Sequence, residues 1–318
     1  MIVQIVLLIV GFVLLIYGAD WLVSGASSLA KKYNVSDLAI GLTIVAFGTS
    51  APELIVNIFA SSQSHFDIVF GNVIGSNNFN LFIILGIAGL ITPLTVQSST
   101  VWKEIPISLL AVMLLFALTN FGVFDDVCIL SRIDGIILLV MFGLFLYYVY
   151  KQVKKDPEKQ DIHVKQYSAI KIWGLILGGL AGLVIGGRFV VINASLLAEA
   201  LGMSEKIIGL TIVAAGTSLP ELATSVVAAF KKNSDIAVGN IIGSNIFNIF
   251  LIIGVSSLIN PLAYNSAFNL EILLLTLGTL ILFITMFTGK KKKLDRWEAV
   301  ILLLIFVFYT YYIISREG

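Results

Sequence analysis

The sequence predicts an all-α membrane protein of ten transmembrane helices, built as two five-helix repeats of inverted topology. Three observations carry that reading: a strongly apolar composition, about ten apolar runs of spanning length, and an internal repeat. Of 318 residues, 58% are hydrophobic and only 12% charged, where a soluble domain carries about 25% charged residues. Mean hydropathy is +1.01. A spanning helix needs about 20 mainly apolar residues, whereas the strands of a membrane barrel alternate polar and apolar positions. The apolar runs here are continuous.

The spans are expected at roughly 2–30, 37–61, 67–91, 104–121, 132–150, 170–200, 205–230, 235–259, 268–288 and 295–315. No basic residue precedes the first run, so no cleaved signal peptide is expected. The longest polar break, "KQVKKDPEKQDIHVKQYSA" at 151–169, separates a first five-helix repeat (1–150) from a second (170–318). Cytoplasmic loops are enriched in Lys and Arg. The loops after spans 1, 3, 5, 7 and 9 hold 16 of the 20 basic residues, while Arg132, Lys206 and Arg316 lie on the other side. This places a multi-pass chain in the plasma membrane with both termini outside and the 151–169 loop in the cytoplasm. Lys290–Lys293 fit as a topology signal. Arg188 in span 6 has Asp20 as its repeat mate, and the two are expected to form a structural charge pair.

The repeat appears on aligning residue i with residue i+168. Gly41–Leu94 matches Gly209–Leu262 without gaps, at about 30 of 54 positions. Each half has five spans. Because five is odd, the second half enters the membrane from the opposite side. Inverted repeats are common in secondary transporters, with the substrate site near the midplane at the repeat interface.

Polar residues are costly at that depth, and here they are duplicated. The first cluster is "GTSAPE" (48–53) with "GTSLPE" (216–221). Thr49 and Glu53 are four apart, as are Thr217 and Glu221, which on a continuous helix puts each pair on one face. Ser50 and Ser218 add hydroxyls. Pro52 and Pro220 lack the N–H that would return to the carbonyl four back, so backbone oxygens near Gly48 and Gly216 are freed. The second cluster is "GNVIGSNNFN" (71–80) with "GNIIGSNIFN" (239–248). Asn72, Ser76 and Asn80 form one stripe, and Ser244 and Asn248 share a face in the other copy. These are hard oxygen donors, suited to Na⁺ or Ca²⁺ and poorly suited to soft metals. Two glutamates balance one Ca²⁺, or two or three Na⁺ share the same oxygens with net charge 0 or +1. The two loadings use the same carboxylates and exclude each other, as antiport requires.

Other classes fit poorly. A net charge of +1 without a basic patch argues against nucleic acid. His65 and His163 lie in polar connections and Cys128 is alone, so neither a His-based metal site nor an internal disulfide is expected. Hydrolysis at Ser50 or Ser218 would lack a base in the spans, so the chain is not expected to be an enzyme. No Walker motif points to ATP. No cofactor and no obligate protein partner are expected; the partners are the transported ions and the lipid bilayer. A Ca²⁺/H⁺ antiporter of the same fold is the alternative, and a cation channel a more distant one.

The duplicated "GTSxPE" and "GSNxFN" resemble the repeats of the cation/Ca²⁺ exchanger superfamily, with the prokaryotic sodium/calcium exchangers most alike. The resemblance spans nearly the whole chain. It implies that spans 2, 3, 7 and 8 form the core, crossed by a long tilted pair, spans 1 and 6. It further implies that Glu53 and Glu221 are acidic ligands shared by Ca²⁺ and Na⁺. Thr49 and Thr217 would offer backbone oxygens to Ca²⁺. Ser50, Ser218, Ser76 and Ser244 would flank Na⁺, and the carbonyls of Ala46 and Ala214 would complete the Na⁺ sites. Asn80 and Asn248 would form the central pair. Several prokaryotic and K⁺-dependent members carry Asp where this chain has Asn248, and the Asn–Asn pattern is that of K⁺-independent exchangers.

Overall fold

The computed structural model describes residues 1–121, 129–153, 167–201, 214–289 and 292–317. Cys128, His163, Lys206, most of the 151–169 linker and the first part of span 7 lie outside the described residues. The helices are α1 (Ile2–Tyr33), α2 (Asp37–Thr49), α3 (Ala51–Ser62), α4 (Phe66–Ile91), α5 (Thr100–Asn120) and α6 (Arg132–Val153). After the linker come α7 (Ala169–Ala200), α8 (Leu219–Phe230), α9 (Ser234–Ile259), α10 (Asn269–Thr285) and α11 (Arg296–Glu317). Among the described residues eight helices are long and apolar enough to cross a membrane, or nine when α2 and α3 are counted as one bent span.

Local chemistry sets the ends. Ser36 caps α2 by accepting the Ala39 N–H at 3.1 Å, and Asn233 caps α9 by accepting that of Ile236 at 3.0 Å. Asp37, Asp67 and Asp235 lie in first turns, where the helix dipole favours negative charge. Asn34 closes α1 in the left-handed conformation at φ 55°.

The bundle has an inside and an outside. The most apolar stretch of α9 is 94% buried and that of α4 67%, against 22% for α1 and 17% for α11. The two halves' central helices thus form the core, and the remainder wraps them. Helices α1 and α7 have 32 residues each, or about 48 Å at 1.5 Å per residue. That exceeds a hydrocarbon core of about 30 Å, which a long helix accommodates by tilting.

Helices α1 and α7 cross antiparallel through glycines. A Cβ at Gly18 would lie 2.9 Å from the Gly179 carbonyl oxygen, and one at Gly11 would lie 2.9 Å from that of Gly186. Gly179 is the repeat mate of Gly11, and Gly186 of Gly18. The contacts are therefore reciprocal, as a twofold relation between the halves demands. Small residues let such helices approach closely.

Two short clasps tie the ends together. Strand β1 (Leu94–Thr95) pairs with β4 (Lys293–Leu294), and β2 (Ile129–Leu130) with β3 (Leu262–Ala263). The loops after spans 3 and 9 thus share one face, and those after spans 4 and 8 share another, matching the parity of the basic-residue count.

The expected Asp20–Arg188 pair does not form. Asp20 instead pairs with Lys231 at 2.7 Å, and the same ammonium donates to Ser24 Oγ at 2.7 Å. Antiparallel crossing explains this. With Gly18 against Gly179, Asp20 is level with residue 177 or so, about 16 Å along α7 from Arg188.

Gly18→Ala and Gly179→Ala should each force α1 and α7 apart. Overpacking of this kind costs about 1–3 kcal/mol. Both variants should melt at lower temperature in detergent than Gly143→Ala, whose Cβ would meet nothing within 4 Å.

Candidate cation site

Each "GTSxPE" motif breaks a helix. Ser50 leaves helical geometry (φ −86°, ψ 5°), α2 and α3 are bent by 47°, and Pro52 stands in the first turn of α3. Ser218 does the same before α8 (φ −89°, ψ 5°), with Pro220 in its first turn. Thr49 and Glu53 therefore sit on two helices that meet at an angle, not on one face of one helix. The proline decides this, since it cannot return an N–H to the carbonyl four residues back.

The breaks bring the motifs of one half against those of the other. Ser50 Oγ donates to Glu221 Oε1 at 2.8 Å and lies 3.0 Å from Ser244 Oγ. In the mate arrangement, Ser218 Oγ is 3.1 Å from Ser76 Oγ. Thr49 Oγ1 donates to Asn240 Oδ1 at 3.0 Å, and Thr217 Oγ1 to Asn72 Oδ1 at 3.2 Å. Thr49 Oγ1 is also 3.3 Å from the Ala46 carbonyl, so that backbone oxygen faces the break. Ala214 lies in the short helical turn Ala214–Gly216, and its side chain is outside the described residues. The serine–serine and threonine–asparagine contacts are reciprocal between the halves, whereas the Ser50–Glu221 bond has no counterpart from Ser218 to Glu53 among the described residues.

Asparagines close the centre. Asn80 Nδ2 donates to Asn245 Oδ1 at 3.1 Å, and Asn248 Nδ2 to Asn77 Oδ1 at 3.0 Å. Asn77 and Asn245 also reach each other's backbone carbonyls, at 3.1 and 3.4 Å. Sequence reasoning did not place Asn77 and Asn245 in the site. Their identity across the two copies of "GSN" was the available signal. Asn72 lies on the stripe with Ser76 and Asn80, and it and its mate Asn240 accept the hydroxyls of Thr217 and Thr49.

The site is buried and acidic. Glu53, Glu221, Thr49, Asn80 and Asn248 are each 1% exposed, Ser244 and Ala46 are fully buried, and Ser50, Ser218 and Ser76 are nearly so. Thr217 is half-buried. On the expected ligand side chains, five buried oxygens receive no hydrogen bond among the described residues: both of Glu53, Oε2 of Glu221, and Oδ1 of Asn80 and Asn248. Every one of them is an acceptor. The helices that carry them hold no Lys, Arg or His between their ends. A buried acceptor without a donor is costly, and a cation coordinated by oxygen relieves it. No group of three His, Cys, Asp or Glu side chains gathers among the described residues, so the donor set is two acids supported by neutral oxygens.

This fold defines a multi-pass membrane transport protein, with a buried acidic cluster of oxygens where two related halves meet. The chain belongs to the sodium/calcium exchanger family, whose model matches residues 3–151 and 171–315. It is 38% identical to the putative antiporter CaxA of Alkalimonas amylolytica over 99% of this chain and 100% of that protein. It is 34% identical to the sodium/calcium exchanger MaX1 of Methanosarcina acetivorans, covering 96% and 97% of the two chains. Its structure superposes on that of the sodium-calcium exchanger NCX_Mj soaked with Na⁺ and Sr²⁺, with a TM-score of 0.83, 33% identity and 98% of each chain covered. It is a transmembrane antiporter of the prokaryotic cation/Ca²⁺ exchanger type.

The asparagine clasp should couple strongly. In a double-mutant cycle with Asn77→Ala and Asn245→Ala, contacting residues of one network deviate from additivity by about 0.5–3 kcal/mol. Thermal unfolding of the purified protein measures it. Strict additivity would show that the two side chains do not support each other.

Proposed function

We propose that the chain exchanges Na⁺ for Ca²⁺ across the plasma membrane by alternating access, using inward Na⁺ flow to expel Ca²⁺. The observation that carries this reading is the set of buried, donor-less oxygens on Glu53, Glu221, Asn80 and Asn248. Two carboxylates balance one Ca²⁺, and the same two are shared by Na⁺ ions when Ca²⁺ leaves. The likeness to the sodium/calcium exchangers MaX1 and NCX_Mj supports Na⁺ as the counter-ion. Ser50, Ser218, Ser76 and Ser244 flank the glutamates as Na⁺ ligands, with the carbonyls of Ala46 and Ala214. Thr49 and Thr217 offer backbone oxygens to Ca²⁺. The chain acts as a transporter and catalyses no covalent chemistry.

In this reading ten helices form two inverted halves, 1–150 and 170–318, joined by a cytoplasmic linker at 151–169, with both termini outside. Support comes from the reciprocal contacts between the halves and from the two clasps, which gather odd-numbered and even-numbered loops on separate faces. Inverted halves provide two related energy minima, one open to each side. The tilted pair α1 and α7, in glycine-to-glycine contact, is the element that slides.

The test is ⁴⁵Ca²⁺ uptake into proteoliposomes loaded with Na⁺ and diluted into Na⁺-free buffer. Uptake should require the outward Na⁺ gradient and persist with proton ionophore under clamped voltage. Uptake driven instead by a pH gradient would establish Ca²⁺/H⁺ exchange.

Glu53→Gln and Glu221→Gln should each abolish Ca²⁺ transport while leaving the protein folded. Near-normal uptake in both would remove the glutamates from the site. Asn248→Asp adds a third acid and should alter ion coupling or K⁺ sensitivity in the same assay.

A further inference from the structure

Two corners of the core are repeat mates with the same backbone. One joins α3 to α4 at 63–65, and the other joins α8 to α9 at 231–233. Ser64 and Lys232 hold equivalent positions and are both left-handed, at φ 59° and 58°. The next residue closes each turn alike. His65 N–H donates to the Ala60 carbonyl and Asn233 N–H to that of Ala228, each at 2.9 Å. What differs is how the long helices α1 and α7 meet these corners.

Helix α1 is seated on the 231–233 corner. Lys231 Nζ reaches Asp20 Oδ1 at 2.7 Å, the Asp20 carbonyl at 3.0 Å and Ser24 Oγ at 2.7 Å. Asn233 Nδ2 donates to Ser27 Oγ at 3.0 Å and to Asp37 Oδ2 at 2.8 Å. Asp20, Ser24 and Ser27 stand at i, i+4 and i+7, which is one stripe of a helix. Helix α7 has no such seat on the mate corner. The hydroxyl of Ser195, the mate of Ser27, has no hydrogen-bond partner among the described residues. Ser28 is 3% exposed, while its mate Leu196 is 44% exposed. Asn233 is buried, and its mate His65 is exposed.

The side chains make this difference intrinsic. The mates of Asp20, Ser24 and Lys231 are Arg188, Ile192 and Gln63. If the halves exchanged roles, α7 would come to the 63–65 corner as α1 now comes to 231–233. A neutral amide would then face a guanidinium, and an aliphatic chain would stand in place of a hydroxyl.

We propose that Lys231 is a one-sided latch, which holds α1 by Asp20 and Ser24 and favours the state closed at the 231–233 corner over its role-exchanged counterpart. The proposal rests on the reading of α1 and α7 as the sliding pair. Two inverted halves of identical sequence would give two states of equal energy, so any bias within the protein comes from positions where mates differ. At Asp20, Ser24 and Lys231 all three differences act in one direction. Moving α1 takes three oxygens from one ammonium at once. The paired side chains of Lys231 and Asp20 are 32% and 49% exposed, so the effect is modest. A modest effect decides which of two near-equal states predominates. On the orientation proposed above, the latched corner is cytoplasmic.

The experiment measures the position of α1 by double electron–electron resonance in nanodiscs. Spin labels go on Tyr33→Cys at the end of α1 and Trp297→Cys on α11, both exposed positions, in a Cys128→Ser background. Lys231→Gln places at the corner the residue that the other half already carries, so the fold should tolerate it. A second distance should gain population by about two- to five-fold, the scale of a partly exposed ion pair. An unchanged distribution would overturn the proposal. The variant Gln63→Lys/Arg188→Asp builds the missing latch and should raise the same second distance with Lys231 in place. If only that variant shifts the distances, the helices slide but Lys231 does not hold them, and the proposal falls alone. If neither variant shifts them, it falls together with the sliding reading. Neither measurement needs ion flux, so failure of the antiport reading would appear separately in the uptake assay.

Discussion

Two carboxylates lie in the interior of an apolar bundle, and no basic side chain stands among the helices that carry them. Everything near the centre follows from that constraint. An ionised group withdrawn from water is tolerated only when it is paired or richly hydrogen-bonded. Glu221 receives one hydroxyl from the opposite half, and Glu53 receives none among the described residues. In the function proposed above the missing partner is the transported cation, and such an arrangement suits a transporter better than a scaffold.

The broken helices are the structural means to that end. A continuous helix would consume its own backbone carbonyls and keep Thr49 on the same rod as Glu53. The Gly–Thr–Ser–x–Pro sequence ends one helix and begins another at an angle, in both halves. Irregular backbone at membrane depth is tolerated where protein or a polar cavity surrounds it. Here the asparagine clasp, built from both halves, and the serine that each break meets from the opposite half provide that surround.

Near-symmetry and its violations have separate meanings. Reciprocal contacts, from the α1–α7 glycines to Asn77 with Asn245, let two related packings have similar energies. The departures distinguish the two faces. Asn57, Ser61 and Ser256 in one half are matched by Ser225, Ala229 and Ala88 in the other, so the two glutamates have different surroundings even though their motifs are the same.

The membrane class, the positions of eight or nine spans among the described residues, the duplication and the set of acids, hydroxyls and amides were legible in the sequence. These properties are linear: hydropathy accumulates over about 20 consecutive residues, and a repeat is visible as letters at a constant offset. The tertiary structure alone decided which copy each group faces. It placed Ser50 against Glu221 across 171 positions and Asn248 against Asn77 across the same distance. It gave Asp20 to Lys231 in place of Arg188. Such contacts depend on how helices cross and at what level their residues meet. A one-residue change in level along a helix rotates a side chain by about 100°, and nothing in the periodicity of either helix records the level of the other.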